Sequence, residues 1–240
     1  MEPVPATLSI AFALTTALAI WLFYQPARPA RRTRYVLGTW LLLQSALSLN
    51  GFYAAAPWAL PPRLSLALAP PLVLLITACV TVSGRRYLDR LRLDQLTLLH
   101  SVRLPVELVL LGLFRHGLAP ELLTFEGRNW DIVAGVSAPL LYYGVFRRHW
   151  LGTTGLRGWN VVCLGLLLNV VGNAILSVPS PFQQLAFEQP LVAVLYFPFL
   201  WLPACVVPLV LLAHVAAIRQ LVRRPATNLV RTHRTNVHEQ

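Results

Sequence analysis

The chain has 240 residues, of which 56% are hydrophobic and only 12% charged, with a mean hydropathy of +0.60 and a formal net charge of +11. Soluble domains are nearer about 45–50% apolar, so the composition points to a membrane protein. All 20 basic residues are arginine, which excludes a retinal Schiff base and a P-loop ATPase, because both need a lysine amine.

The charges are clustered, and the apolar runs between them, roughly 18–20 residues each, are long enough to cross about 30 Å of hydrocarbon. Seven helices are predicted: Ala6–Tyr24, Tyr35–Tyr53, Leu64–Ser83, Gln95–Phe114, Asp131–Phe146, Asn160–Val178 and Leu191–Ile218. The fifth is short, with room for one more turn before it. The seventh is long and holds Pro198, Pro203 and Pro208, which predict kinks. The first reads as a span and not a cleaved signal peptide, because its arginines follow it. Cys79, Cys163 and Cys205 all fall in apolar segments and read as small buried thiols.

Arginine sets the orientation. Arg28, Arg31, Arg32 and Arg34 follow helix 1; Arg85, Arg86, Arg90 and Arg92 follow helix 3; Arg147, Arg148 and Arg157 follow helix 5; five more lie from Arg219 onward. That is 16 on one side against Arg63, Arg115 and Arg128 on the other. The positive-inside rule then puts the N-terminus outside and the tail in the cytoplasm. Residues 1–218 read as one transmembrane domain and residues 219–240 as a basic tail lying against anionic lipid headgroups. The expected surroundings are the bilayer, with no nucleic acid, and a homo-oligomer is open.

Displacing the sequence by 119 positions aligns 14 identities in the 52 positions from Leu22 to Val73, against roughly five expected by chance. The least compositional matches are Tyr24 with Tyr143, Trp40 with Trp159, Asn50 with Asn169 and Pro71 with Pro190. Helices 1–3 (residues 6–83) then correspond to helices 5–7 (residues 125–218), with helix 4 (residues 95–114) as a linker. The expected fold class is therefore all-α and polytopic, with seven transmembrane helices in a parallel 3+1+3 repeat. This topology resembles that of the SWEET and PQ-loop carriers, in which the resemblance implies a site at the repeat interface near mid-membrane. No convincing PQ motif accompanies it.

Helix 4 carries His100, Arg103 and Glu107 within an arc of about 60°, one polar stripe on an otherwise apolar rod. Glu107 lies about 18 Å from the helix start, near mid-membrane. A charge there costs at least about 2.5–3.5 kcal/mol, so the stripe is expected to face protein or a cavity. Arg103 and Glu107 are four apart and can pair, either as an internal strut or as part of a ligand site. Asn169 and Asn173 share a face of helix 6. With the repeat pairs Asn50/Asn169 and Trp40/Trp159, they would suit a small polar ligand between the halves. Such amides also simply bridge helices.

On the outer side, TFEGRNWD (Thr124–Asp131) brings Glu126, Arg128, Asn129 and Asp131, and the last outer loop adds Glu188. Asn129 or Asp131 is expected to cap helix 5. His100 and His214 lie at similar depth, which permits bis-histidine haem ligation; a histidine near a helix end more often snorkels or bonds a carbonyl.

The runs TFEGRNWDIVAGVSAP and NAILSVPSPFQQLAFEQP resemble an uncharacterised bacterial seven-helix integral membrane family with a TFEGRN[FW]D-like motif. The resemblance covers about Leu98–Arg219 and implies a multi-pass protein of a bacterial inner membrane, without an activity. No zinc, nucleophile-elbow or carboxylate-cluster motif is present. The leading reading is binding or translocation of a small polar or anionic molecule. The alternatives are a redox or enzymatic protein using His100, His214 and Glu107, with haem or quinone, and a receptor or scaffold subunit.

Overall fold

A computed structural model describes residues 4–27 and 31–223; Arg28 and the basic tail from residue 224 lie outside the described residues. These residues form helices and connecting turns, with no strand among them. The helices are α1 (Ala6–Ala27), α2 (Arg31–Leu49), α3 (Ser65–Val80), α4 (Val82–Arg90), α5 (Leu93–Leu99), α6 (Arg103–Arg115), α7 (Asp131–Leu141), α8 (Thr153–Ser177) and α9 (Val207–Arg223). Four stretches are long and apolar enough to cross a membrane: Ala6–Tyr24, Leu93–Arg115, Thr153–Ser177 and Leu202–Arg223. The bent pair α3–α4 makes a fifth if it counts as one span, and Tyr35–Leu49 is a shorter apolar helix.

The predicted fourth helix is the rod Leu93–Arg115, in which α5 and α6 are joined by a tight 3-10 turn at His100–Val102. Pro105 causes the pinch: it has no N–H to offer the carbonyl of Ser101, one turn earlier. The rod is the centre of the bundle. It packs against α1, α7 and α9, while α8 covers α9 and α7. Leu96, Leu99, Val102 and Leu113 are buried in the core that results. Bilayer tails are as apolar as these side chains, so close packing and polar contacts must hold the helices together.

Three departures from the expected helices have local causes. The predicted third helix is broken at Thr81, and α4 turns away by 94°. Thr81 leaves the helical region (ψ 150°), and its hydroxyl accepts from Gly84 N at 3.1 Å, so it starts α4. A side chain at Gly84 would put its Cβ 2.3 Å from Ala78 Cα, so only glycine permits the fold-back. The seventh helix does not begin at Leu191. Residues 191–200 are irregular, with a 3-10 turn and further turns, and helical structure resumes at Trp201 with a π-type turn at Leu202–Val206. Pro190, Pro198 and Pro203 deny this stretch the regular ladder. The fifth ends in another π-type turn, Tyr142–Arg147.

Pro208 has a consequence for α2. It cannot donate to the carbonyl of Ala204, and Trp40 supplies the missing donor, its indole Nε1 lying 2.9 Å from that oxygen. Trp201 Nε1 reaches Ser45 Oγ at 3.1 Å, which ties α2 to the same segment. At one end of the bundle α4 is latched to α9. Asp89 accepts from Arg219 (2.8 and 3.1 Å) and Arg223 (2.9 Å), while Gln220 donates to the carbonyls of Leu88 and Leu91. Two of the arginine-rich segments therefore meet at the same end.

Candidate functional site

His100, Arg103 and Glu107 are 0%, 3% and 1% exposed, so the polar stripe of the rod faces protein. Its partners come from the TFEGRNWD segment, which enters the bundle. Thr124 folds the segment back: its N–H and hydroxyl both reach the carbonyl of Glu121 at 2.8 Å. Its own carbonyl accepts from Gly127 and Asn129. The chain then delivers Asn129 and Asp131 to the rod, and α7 starts beside Arg103. This explains the shortness of the fifth helix, whose first residue already lies inside the protein.

Asn129 uses its whole amide. Nδ2 donates to the Glu107 carboxylate and to Leu123 O (2.9 Å), and Oδ1 accepts from Asp131 N (3.0 Å). Asp131 does not cap α7 with its side chain; it receives Arg103 Nε at 2.5 Å, with Nη2 against its other oxygen. The guanidinium also donates to Cys163 O at 3.0 Å and meets His214 Nε2 at 3.2 Å. Arginine can only donate, so His214 Nε2 accepts and the ring proton is on Nδ1. That nitrogen lies 3.1 Å from Asn160 Oδ1, and Asn160 Nδ2 donates to Leu156 O, so the chain of donors and acceptors is consistent from end to end.

His100 stacks on His214 with ring centroids 3.9 Å apart and meets Trp159 edge-on at 5.4 Å. Trp159 is held by a hydrogen bond from Nε1 to Ser137 Oγ at 2.9 Å. Three buried atoms at the site have no partner: both ring nitrogens of His100 and Oε2 of Glu107. A cavity of about 60 Å³ lies against Arg103, Glu107 and Asp131, lined elsewhere by apolar residues such as Leu123, Leu167 and Val206. It is roomy and polar enough on one side to hold water.

Several sequence expectations change here. Arg103 and Glu107 do not pair with each other: Arg103 turns to Asp131 and Glu107 to Asn129. The haem geometry fails, because stacked imidazoles leave no porphyrin-sized gap and His214 Nε2 is taken by Arg103. The outer cluster splits. Asn129 and Asp131 join the rod, whereas Glu126 stays exposed and pairs with Arg115 at 3.4 Å. Arg128 and Glu188 line a surface depression of about 440 Å³ with Glu121 and Gln189. Asn50 is exposed and bonds back to Ala46 O in its own helix. Asn169 donates to Arg128 O and touches Asn173 at 3.5 Å, away from the stripe. Of the two paired tryptophans, Trp159 reaches the site through His100 and Trp40 does not. Asn160 carries no sequence signal of its own, and Asp131, expected with the loop cluster, is buried against Arg103; the shortness of helix 5 was the available signal.

A bundle of apolar helices around a fully buried ionic network defines a helical protein of membrane character. Within that class, residues 61–222 match the model of a family described as a domain of unknown function, DUF8737, and the chain belongs to that family. No curated protein and no solved structure shows significant similarity to it.

Proposed function

We propose that the protein is a seven-span, multi-pass membrane protein that binds or translocates a small polar molecule at the Arg103–Asp131–Glu107 cavity, with movement of a proton at Glu107. In this reading α2, α3 and α7 with its π-type turn complete the four long spans, and α4 folds back at the end of α3 outside the membrane. Positive-inside places the latched end of α4 and α9 in the cytoplasm of a bacterial inner membrane. The proposed repeat makes α1 and α7 counterparts, and the packing of both on the central rod is in keeping with that.

The observation that carries the proposal is the charge balance of the buried set. Arg103 and Asp131 cancel, and an ionised Glu107 would leave one net negative charge out of water, which is costly. The set balances when Glu107 holds a proton or when a cationic group shares the cavity. Glu107 Oε2, unpartnered beside the cavity, is where either would be exchanged. An anionic solute is the less favoured cargo, because Asp131 already neutralises Arg103 and would have to release it.

The Leu123–Asn129 segment separates the cavity from the surface depression, which makes it the gate on that side. Asn129 is the latch, bonding Glu107 and Leu123 together. Protein reconstituted in liposomes with an internal pH dye is the test. Outward addition of small polar solutes is expected to move protons for some member of the panel, and Glu107→Gln to abolish that response. Solute uptake indifferent to Glu107→Gln sinks the reading.

A further inference from the structure

A second cavity, of about 680 Å³, lies apart from the buried ionic network, between α2, α3 and α9. Its wall is apolar: Leu43 and Pro71 at one end, Leu75 and Leu209 along it. At the other end stand Phe23, Tyr35 and Tyr87, beside the arginine-rich segments. Along α2 the groove runs from Tyr35 to Leu43, eight residues or about 12 Å. That depth stays within one leaflet, about half of a 30 Å core.

Charge identifies the occupant. Arg85 and Arg86 immediately precede the lining residue Tyr87 on α4, which bends 94° away from α3, and Arg34 precedes Tyr35 in sequence. The acid of α4, Asp89, is already engaged by Arg219 and Arg223. Among the described residues neither Arg85 nor Arg86 lies within ion-pair distance of a carboxylate; Arg85 acts on Asp89 only through its charge, at longer range, so an external anion would be the first direct partner of both. Tyrosines at this level suit the headgroup boundary. We propose that the groove holds an acyl chain of an anionic phospholipid whose phosphate is bound by Arg85 and Arg86.

A lipid tail gains little by leaving one apolar environment for another, so the groove alone cannot choose among lipids. Selection comes from the phosphate and any further negative charge, and it weakens as salt screens the arginines. Trp40 gives the groove a fixed wall, because its indole is pinned to Ala204 O by the gap that Pro208 leaves.

The test is native mass spectrometry of the full chain, delipidated in detergent and exposed to equal amounts of phosphatidylglycerol and phosphatidylcholine with identical tails. Retained phosphatidylglycerol is expected in several-fold excess. Arg85→Gln with Arg86→Gln is expected to bring the ratio to about one while total lipid retention persists. Thr39→Trp, at an exposed groove position where bulk does not threaten the fold, is expected to lower retention of both lipids. Equal retention of the two lipids by the unmodified protein overturns the proposal, as does a Thr39→Trp variant that keeps its lipid. Proton movement in liposomes is not a readout here, so the two proposals fail independently.

Discussion

Arg103 and Asp131, 28 positions apart, form an ion pair at 2.5 Å with neither side chain more than 7% exposed. The pair is the point at which the central rod and the segment Thr124–Asp131 are joined. Breaking a buried pair by removing one member costs about 3–5 kcal/mol, because the survivor remains charged and unmatched. Asp131→Asn alone is therefore expected to lower the melting temperature and folded yield sharply. Arg103→Met combined with Asp131→Leu removes both charges and is expected to recover most of that loss. If the pair also serves solute binding, the recovered double variant stays inactive in liposomes. A double variant with normal uptake would reduce the pair to a strut.

Glu107 and Asn129 give a different expectation, since one carboxylate oxygen accepts from the Asn129 amide and the other is unpartnered. Glu107→Gln keeps an acceptor for that amide, so stability is expected to stay within about 1 kcal/mol of the parent. Proton-linked activity is expected to vanish. Asn129→Ala breaks its bonds to Glu107, Leu123 and Asp131 at once and leaves Glu107 buried without a donor, a loss of about 1–3 kcal/mol. Without the Asn129 bonds, residues 123–129 should also show faster deuterium exchange, as the proposed gating role requires. Unchanged exchange there would argue against the latch.

The rod was legible because hydropathy fixes its length and the 0, 3, 7 spacing of His100, Arg103 and Glu107 fixes its polar face. Which groups meet that face was not legible. Asp131 follows a run of polar residues that reads locally as a surface loop, and nothing in TFEGRNWD states that Thr124 turns it inward. Local pattern also could not separate helix from turn in residues 191–200, since both are equally apolar there. Gly84 illustrates the same limit: its need to approach Ala78 is a relation between backbones, invisible until the bend at Thr81 is known. The two tryptophans matched at the 119-residue displacement share one habit and differ in its target. Trp40 and Trp159 both donate through Nε1 to a neighbouring element, but to Ala204 O in one case and Ser137 Oγ in the other.

The α4–α9 latch predicts an acid response. Hydrogen bonding from Arg219, and the positive charges of Arg219, Arg223 and Arg85, hold the Asp89 carboxyl below its usual range. A carboxyl with a depressed folded-state pKa contributes stability above its unfolded value, near about 3.9, and loses it as pH falls through the folded value. The latch is therefore expected to be constant from pH 8 to about 5 and to weaken below about 4. Its exposed geometry limits it to about 1 kcal/mol. Asp89→Asn should remove the acid-dependent component of α4 release, read by a spin or fluorescent label on that helix. A label response identical in the two proteins between pH 5 and 3 would exclude this role.

Gly135 offers a way to disturb the site without touching a polar atom. It lies one turn after Asp131 on α7, where an added Cβ would stand 2.5 Å from Leu104 N and 3.0 Å from Leu104 Cα. Both contacts are with backbone, which cannot rotate away, so α7 must move off the rod. Overpacking of this kind costs about 1–3 kcal/mol. Because Asp131 rides on the same helix, the displacement also lengthens its bond to Arg103. Gly165 is the control: it sits within α8 with nothing within 4 Å of the added atom, and alanine there is expected to be neutral or to stabilise by about 0.5–1 kcal/mol. Gly135→Ala is expected to lower both the melting temperature and the Glu107-dependent proton response, with Gly165→Ala lowering neither. If Gly135→Ala melts early but its surviving folded fraction retains full activity, the registration of α7 on the rod matters for stability alone.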